Sequence, residues 1–444
     1  MEYRDAINCI MGMTDYERAP SIGSRKPRYN LDRIRSFMST LNNQHLGTPT
    51  VHIAGTKGKG STSAMVSSIL KEAGYLPGLF TSPHLHSFRE RIQVNNKPIP
   101  ENDFALLVEE LWDSMERFNQ SKKDRVTLFE FLTAMGFSYF KKMKTQINVI
   151  EVGLGGRLDA TNLVHPTVCG ITTLGLDHTE ILGNTLGEIA WEKSGIIKYK
   201  IPVITASQEP DALEVIKDVS KKRSSSLSIV GTDISWHAKS SSIFEQEFDV
   251  KTANNTYSLR SPLAGEHQIE NASVAIGIVE SLIEEGIQIS LKAIQNGFIH
   301  VEWPCRFELI SQNPTIVVDG AHNPHSAAAL VRSVKNLFPS KRIVLVIGVS
   351  GNKDLNGLVK ELDQLCPTFT VATSSRHTRA TDPNKISAIF KKLGKESTIT
   401  DNVSDAVTVA QDVASSNHVV LVTGSLFVAA EAREFVKGIT PEIY

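Results

Sequence analysis

The string Ala54-Gly55-Thr56-Lys57-Gly58-Lys59-Gly60-Ser61-Thr62 constrains this chain more than any other stretch. It follows the apolar run Val51-His52-Ile53 and precedes a helical pattern. A glycine-rich turn between strand and helix lets backbone N–H groups converge on an anion. The helix N-terminus aims its dipole at the same point. Gly55, Thr56, Lys57, Gly58 and Gly60 would form the cradle, and Lys59 would reach the β- and γ-phosphates of a nucleotide such as ATP. Ser61 or Thr62 offers a hydroxyl to Mg²⁺. The spacing is not that of a Walker A loop, because Gly55 lies too close to Gly58-Lys59-Gly60-Ser61. A flexible surface turn is the alternative, and it leaves the strand–glycine–lysine–helix order unexplained.

The pattern around the loop is α/β. Strands are expected at 50–54, 79–81, 147–152, 168–173 and 201–205, and helices at 61–73, 100–119, 128–142 and 185–195. Asn30 is expected to cap a helix that follows it. Strands alternating with helices predict a mostly parallel, P-loop-type sheet flanked by helices. Residues 223–260 are serine-rich and alternate, which predicts a small antiparallel insertion. A helix rich in alanine is expected over 265–286, and Asn296-Gly297-Phe298 with Trp303-Pro304 marks a boundary. A second, smaller, Rossmann-like α/β pattern follows, with strands at 315–319, 342–348, 369–372 and 419–423. Helices lie between them at 326–337, 355–365, 383–393 and 403–414. The expected division is 1–300 and 301–444.

Composition excludes several classes. The chain has 444 residues and a formal net charge of -1, from 47 basic and 48 acidic side chains. Bulk charge therefore points to no polyanion partner. Basic residues such as Arg25, Lys26, Arg89, Arg91 and Lys122-Lys123 are read as solvated, with no nucleic-acid role. The four cysteines form no CxxC pair and no zinc spacing, which suits a reducing compartment. No 18-residue apolar run and no secretory pattern at Met1-Glu2-Tyr3-Arg4-Asp5 are found, so a cytoplasmic protein without a membrane partner is expected.

Several further residues carry chemistry. Glu151 ends an apolar strand and precedes Gly153-Leu154-Gly155-Gly156-Arg157, where ligands gather at the edge of a parallel sheet. A carboxylate there binds Mg²⁺ directly or through water. His178 follows the next strand and suits a metal or a phosphate; taken alone, a structural histidine is the commoner reading. Lys193, in Trp191-Glu192-Lys193-Ser194-Gly195, reads alone as a lysine near a helix C-terminus. Among bulky neighbours it would shift toward the neutral amine, which reacts with carbon dioxide to give a metal-binding carbamate. Asp319-Gly320-Ala321-His322-Asn323-Pro324 follows a strand of the second pattern. Arg306 follows the boundary and suits charge on a phosphoryl group. Ser350-Gly351-Asn352-Lys353-Asp354 is open between a turn and a site.

Taken together, the chain resembles the bacterial dihydrofolate synthase/folylpolyglutamate synthase family of the Mur ligase superfamily. The resemblance rests on the loop, Phe80-Thr81-Ser82-Pro83-His84-Leu85, Glu90-Arg91-Ile92, and Glu151 through Asn162. It continues through Leu176-Asp177-His178, Glu192-Lys193-Ser194-Gly195-Ile196, Gly265-Glu266-His267-Gln268-Ile269-Glu270-Asn271-Ala272 and Asp319 through Pro324. Lys57 departs from it, since the family more often has asparagine there.

The resemblance implies an ATP-dependent amide ligase that joins L-glutamate to dihydropteroate and to the γ-carboxylate of reduced folates through an acyl phosphate. It assigns Lys59, His178, Lys193 and His322 to catalysis, and Ser61, Ser82, Glu151, His178 and Lys193, the last carbamylated, to Mg²⁺. Asn271, Arg306 and Asp319 would hold ATP with the loop. Ser82, Pro83, His84, Arg157, Asp159, His322, Asn323 and Ser350 would meet the acceptor and glutamate. Asp159 would accept a bidentate hydrogen bond from the pterin edge, or else cap the turn before Asn162. A monomer that closes its two domains around the reactants is expected. A peptidoglycan Mur ligase would need a UDP-sugar domain ahead of the loop, where about 50 residues stand. A folylpolyglutamate synthase without the dihydropteroate activity is the nearer alternative.

Overall fold

The computed structural model describes residues 1–15, 29–122, 125–351 and 353–442. Arg25, Lys26, Lys123 and Asn352, named above, lie outside them. The N-terminal unit is built on strands β1 (Thr50–Ala54), β2 (Pro77–Phe80), β3 (Ile92–Val94), β4 (Lys97–Pro98), β5 (Ile147–Glu151), β6 (Val168–Ile171), β7 (Val203–Thr205) and β8 (Leu227–Ile229). They form one sheet in the order β4-β3-β2-β5-β1-β6-β7-β8. The six strands from β2 to β8 in that order pair in parallel, and the edge hairpin β3–β4 is antiparallel. β1 and β5 are buried at every position, as expected of central strands covered on both faces.

β9 (Ser235–Ser241), β10 (Gln246–Lys251) and β11 (Thr256–Ser261) make a separate antiparallel sheet. The serine-rich insertion is therefore present, but it starts later than the composition suggested. β8, assigned to it from sequence, instead extends the parallel sheet beside β7. The helix Pro210–Lys222 between β7 and β8 went unread. Its opening Glu209-Pro210 looks like a turn, although proline is well tolerated in a first helical turn.

The C-terminal unit holds β12 (Glu308–Gln312), β13 (Thr315–Val318), β14 (Arg342–Ile347), β15 (Phe369–Ala372), β16 (Thr398–Ile399) and β17 (His418–Thr423). Their order is β12-β13-β17-β14-β15-β16, parallel except for β12. The helix Leu426–Lys437 closes the chain's last α/β step and was also unread from sequence. Ser425 caps it by accepting from the Phe427 N–H. The Asn30 cap is present, its side chain accepting from the Asp32 N–H at 2.7 Å.

Strand order fixes where a ligand sits. The chain leaves β1 for β2 on one side and places β6 on the other, so the order in which strands are added reverses at β1. Such switch points open a crevice beyond the strand carboxyl ends. In the second sheet β13 and β14 flank β17 in the same way. No helix among the described residues is long and apolar enough to cross a membrane.

Candidate active site

One cavity of about 970 Å³ runs between the two units. It is lined by the loop residues Gly55 to Ser61, by Glu151, Asp177, His178 and Lys193, and from the other unit by Arg306, Asp319, His322, Asn323 and Ser350.

The loop is held in shape by its neighbours. Gly58 caps the helix Lys59–Glu72 at φ +91°, a left-handed conformation that a side chain adopts at a cost. A Cβ there would also lie 2.0 Å from Asn271 Oδ1, so the backbone and Asn271 touch directly. A Cβ on Gly60 would lie 2.7 Å from the Trp303 ring. Thr56 and Lys57 both donate backbone N–H bonds to the Thr173 carbonyl, at 3.0 and 3.1 Å. The helix therefore starts at Lys59, two residues earlier than its apolar pattern suggested, and Ser61 and Thr62 are buried in its first turn. Thr62 does not line the cavity, and its hydroxyl meets the Asn271 carbonyl at 3.5 Å.

Glu151 ends β5 and is 3% exposed. It accepts the Ser82 N–H at 3.1 Å and lies 3.9 Å from Lys59 Nζ. Burial raises its pKa, against Lys59 and the Ser82 N–H, which lower it. Lys193 sits in the helix Leu186–Ser194, 4% exposed, and donates to the Gly55 carbonyl at 2.9 Å. Burial, helped by Lys59, lowers its pKa to about 7. Its neutral amine is thus populated near neutral pH. His178 heads the short helix Thr179–Leu182 and is 47% exposed at its side chain.

From the C-terminal unit, Asp319 lies just past β13, its oxygens accepting from the Phe307 N–H at 2.9 Å and the Ala321 N–H at 2.8 Å. Burial raises its pKa and Arg306 opposes that most. The Arg306 guanidinium donates to the Cys305 carbonyl at 3.1 Å. His322 Nδ1 is 2.9 Å from the Gly320 carbonyl, which places the proton on Nδ1 and leaves Nε2 an acceptor. Lys57 Nζ stands 2.8 Å from that Nε2. Burial, with Lys57 nearby, lowers His322 to about 4, so the ring is neutral. Burial also lowers Lys57 to about 8, although Asp177 favours its charge. Asn323 caps the helix Pro324–Leu337, and Ser350 Oγ lies 3.1 Å from Ser425 Oγ.

The remaining wall contains Ser82, Pro83, His84, Thr127, Phe129, Leu158 and Asp159. Arg91, read from sequence as solvated, is instead 3% exposed in this wall, because its Nε donates to His84 Nδ1 at 2.9 Å. Asp159 is 5% exposed, and both its oxygens are already engaged. Oδ2 accepts from the Leu154 N–H at 2.8 Å, and Oδ1 from the Thr161 N–H and hydroxyl at 3.0 and 2.5 Å. The cap before Asn162 is thus formed, and the bidentate grip expected from sequence lacks the free lone pairs it needs.

Arg157, like Thr62, is a residue that the fold does not bring into the cavity. Its guanidinium pairs with Glu192 at 2.7 Å and is 44% exposed. The reason is local: the Arg157 N–H bonds the Glu192 carbonyl at 2.7 Å, so this loop backs onto the helix Leu186–Ser194. Asp177 and Lys353 were named only inside longer strings and given no role of their own, yet they form an ion pair across the cleft at 2.6 Å. Their only signal was position, since each follows a strand on the cleft side.

The family models that match are the Mur ligase middle domain, over residues 53–279, and the Mur ligase glutamate ligase domain, over residues 305–426. The chain is 35% identical over 441 residues to the dihydrofolate synthase/folylpolyglutamate synthase of Bacillus subtilis, covering 98% of this chain and 99% of the other. The folylpolyglutamate synthase of Thermotoga maritima is 35% identical, with a TM-score of 0.86 over 99% of this chain and 98% of that one. E. coli FolC in complex with DHPP and ADP is 28% identical, also with a TM-score of 0.86, over 99% and 98%.

Proposed function

The chain belongs to the dihydrofolate synthase/folylpolyglutamate synthase family of the Mur ligase superfamily, and on that premise we propose how its residues carry out ATP-dependent glutamate ligation. The observation that carries the reading is the shared cavity. It gathers a phosphate loop, a buried carboxylate and a buried lysine from one unit, and an arginine, an aspartate and a neutral histidine from the other.

The acceptor carboxylate attacks the γ-phosphorus of ATP, the bond to the β,γ-bridging oxygen breaks, and ADP leaves. The product is an acyl phosphate. The glutamate amine then adds to the acyl carbon, loses a proton, and phosphate departs as the amide forms. Carboxylate oxygen is a poor leaving group and phosphate a good one, which is what the ATP step achieves. The chain supplies alignment and charge rather than a covalent nucleophile. Lys59 on one side and Arg306 on the other offset charge on the phosphoryl oxygens. Asn271 and Asp319 hold the nucleotide from opposite walls, the first pressed against Gly58 and the second fixed by two backbone N–H groups. His322, neutral with Nε2 accepting from Lys57 Nζ at 2.8 Å, takes the proton that the amine must lose once Lys57 gives up that contact. Asn323 and Ser350 stand on the glutamate side.

The donor set fits Mg²⁺. Glu151, Ser61 and Ser82 offer hard oxygen atoms, and His178 lines the same cavity. No group of three or more His, Cys, Asp or Glu side chains among the described residues is arranged to hold a metal by itself. Mg²⁺ commonly binds through one or two carboxylates with substrate phosphates and water, so such a site suits it. When bound, Mg²⁺ neutralises phosphate charge. Lys193 is the position at which a carbamate would complete that set. Its neutral nitrogen bonds the carbon of CO₂, a carbonyl electron pair moves to oxygen, and the nitrogen proton goes to solvent.

The wall formed by Ser82, Pro83, His84, Phe129 and Asp159 takes the acceptor. Asp159, its carboxylate held by the Leu154, Thr161 and Gly153 main chain and the Thr161 hydroxyl, holds the loop that shapes this wall. Both cleft walls belong to one chain, which supports a monomer as the working unit. Ligation should be followed by product mass with ATP, Mg²⁺ and glutamate, in separate reactions with dihydropteroate and tetrahydrofolate. Amide from both acceptors is expected. Amide from tetrahydrofolate alone would leave a monofunctional folylpolyglutamate synthase, and amide from neither would sink the reading.

A further inference from the structure

The loop after β6 is joined to the phosphate loop at several points. The Thr56 and Lys57 N–H groups share the Thr173 carbonyl, and the Gly175 N–H donates to Thr56 Oγ1 at 3.2 Å. Asp177 lies two residues further on, with its side chain 10% exposed. Its carboxylate gathers groups from both units. Oδ2 is 3.1 Å from Lys57 Nζ and 3.4 Å from Asn323 Nδ2, and Oδ1 is 2.6 Å from Lys353 Nζ. Its own main chain adds the His178 N–H at 3.1 Å. Lys57 in turn reaches His322 Nε2 at 2.8 Å. His322, Asn323 and Lys353 all belong to the C-terminal unit. They come from the loops after β13 and β14, which flank the middle strand β17 of that sheet.

We propose that Asp177 is a positioning residue for ligation, tying the phosphate loop to the C-terminal face through Lys57, Lys353 and Asn323 and so fixing where His322 meets the incoming amine. The proposal rests on the ligase reading above. Two features separate this contact from an ordinary surface ion pair. The carboxylate is largely removed from water, so losing either of its two lysines leaves it less compensated at a cost that an exposed pair would not show. The partners also come from both units, whose relative placement decides whether the cleft is closed. Lys57 adds a chain-specific feature, because an asparagine at this position would carry no charge to Asp177. The chemical consequence concerns water. An acyl phosphate held in a loosely joined cleft is hydrolysed instead of meeting the amine.

The test uses the full-length protein with Asp177→Asn, Lys353→Met, Lys353→Arg and the Asp177→Asn/Lys353→Met double variant. Readouts are KM for glutamate, KM for ATP, and amide formed per phosphate released, with melting curves to confirm folding. Asp177→Asn is expected to raise the glutamate KM about 10-fold, with the ATP KM nearly unchanged, and to lower the amide-to-phosphate ratio. Lys353→Met should shift the same quantities less, Lys353→Arg should restore them, and the double variant should match Asp177→Asn alone. Lys353→Met with wild-type glutamate KM and ratio would overturn the proposal. So would single effects that multiply in the double variant while the ratio stays fixed. Failure of the ligase reading is a separate result, seen as no amide from the wild-type protein.

Discussion

Lys59→Met is expected to lower kcat/KM for ligation about 1,000-fold, roughly 4 kcal/mol of lost transition-state stabilisation. Methionine keeps most of the aliphatic stem, so the start of the helix Lys59–Glu72 should hold and the melting temperature should change little. What goes is the cation at 17% exposure beside the phosphate cradle. A second consequence follows from the 3.9 Å approach to Glu151. Burial already raises the Glu151 pKa, and Lys59 is the largest influence lowering it. Removing Lys59 raises it further. The metal-binding form is the carboxylate, so the acid limb of the variant's pH–rate profile should move to higher pH. Steady-state kinetics across pH measure both effects. A loss below about 10-fold would shift the charge role to Lys57.

Lys193→Met is expected to abolish most ligation, about 100-fold or more, while relieving the fold of a buried amine. The relief has a definite pH dependence. Burial lowers the native pKa to about 7, from an ordinary value of 10.5. A group whose native pKa is depressed in this way binds fewer protons folded than unfolded between those two values. Its penalty is full below about pH 7 and fades as pH rises toward the unfolded pKa, so wild-type stability gains with pH across that window. The variant lacks that gain. It also leaves the Gly55 carbonyl without its 2.9 Å donor, a loss that does not vary with pH. In chelator, the melting temperature of Lys193→Met minus that of wild type should therefore fall from pH 6 to pH 9. A difference independent of pH would mean that the native amine titrates as an exposed lysine does.

The parts of the site legible in the sequence are those written locally. A glycine string between strand and helix, a glutamate closing an apolar strand, and Asp319 through Asn323 after another strand each sit where a parallel sheet opens its crevice. Their neighbours in sequence are nearly enough to place them. Asp177 and Lys353 are 176 residues apart, and only strand order brings them together. Arg157 shows the opposite failure. It stands inside a string that runs through the site, yet the main-chain bond to Glu192 turns it outward. Asp159 falls between the two, since its capping role was legible and its engaged oxygens were not. In the fold, β8 was misplaced because three residues of modest burial next to a serine-rich stretch resemble the insertion. Their pairing with β7 depends on the sheet's edge being open there.

The central claim is that the acceptor carboxylate is activated by phosphoryl transfer within the cleft between the two units. The direct test supplies dihydropteroate with ¹⁸O in its carboxylate, together with ATP, Mg²⁺ and glutamate, and reads the released phosphate by mass. An acyl phosphate passes one carboxylate oxygen to phosphorus, so the account predicts labelled phosphate in step with amide. Amide formed alongside unlabelled phosphate would contradict it.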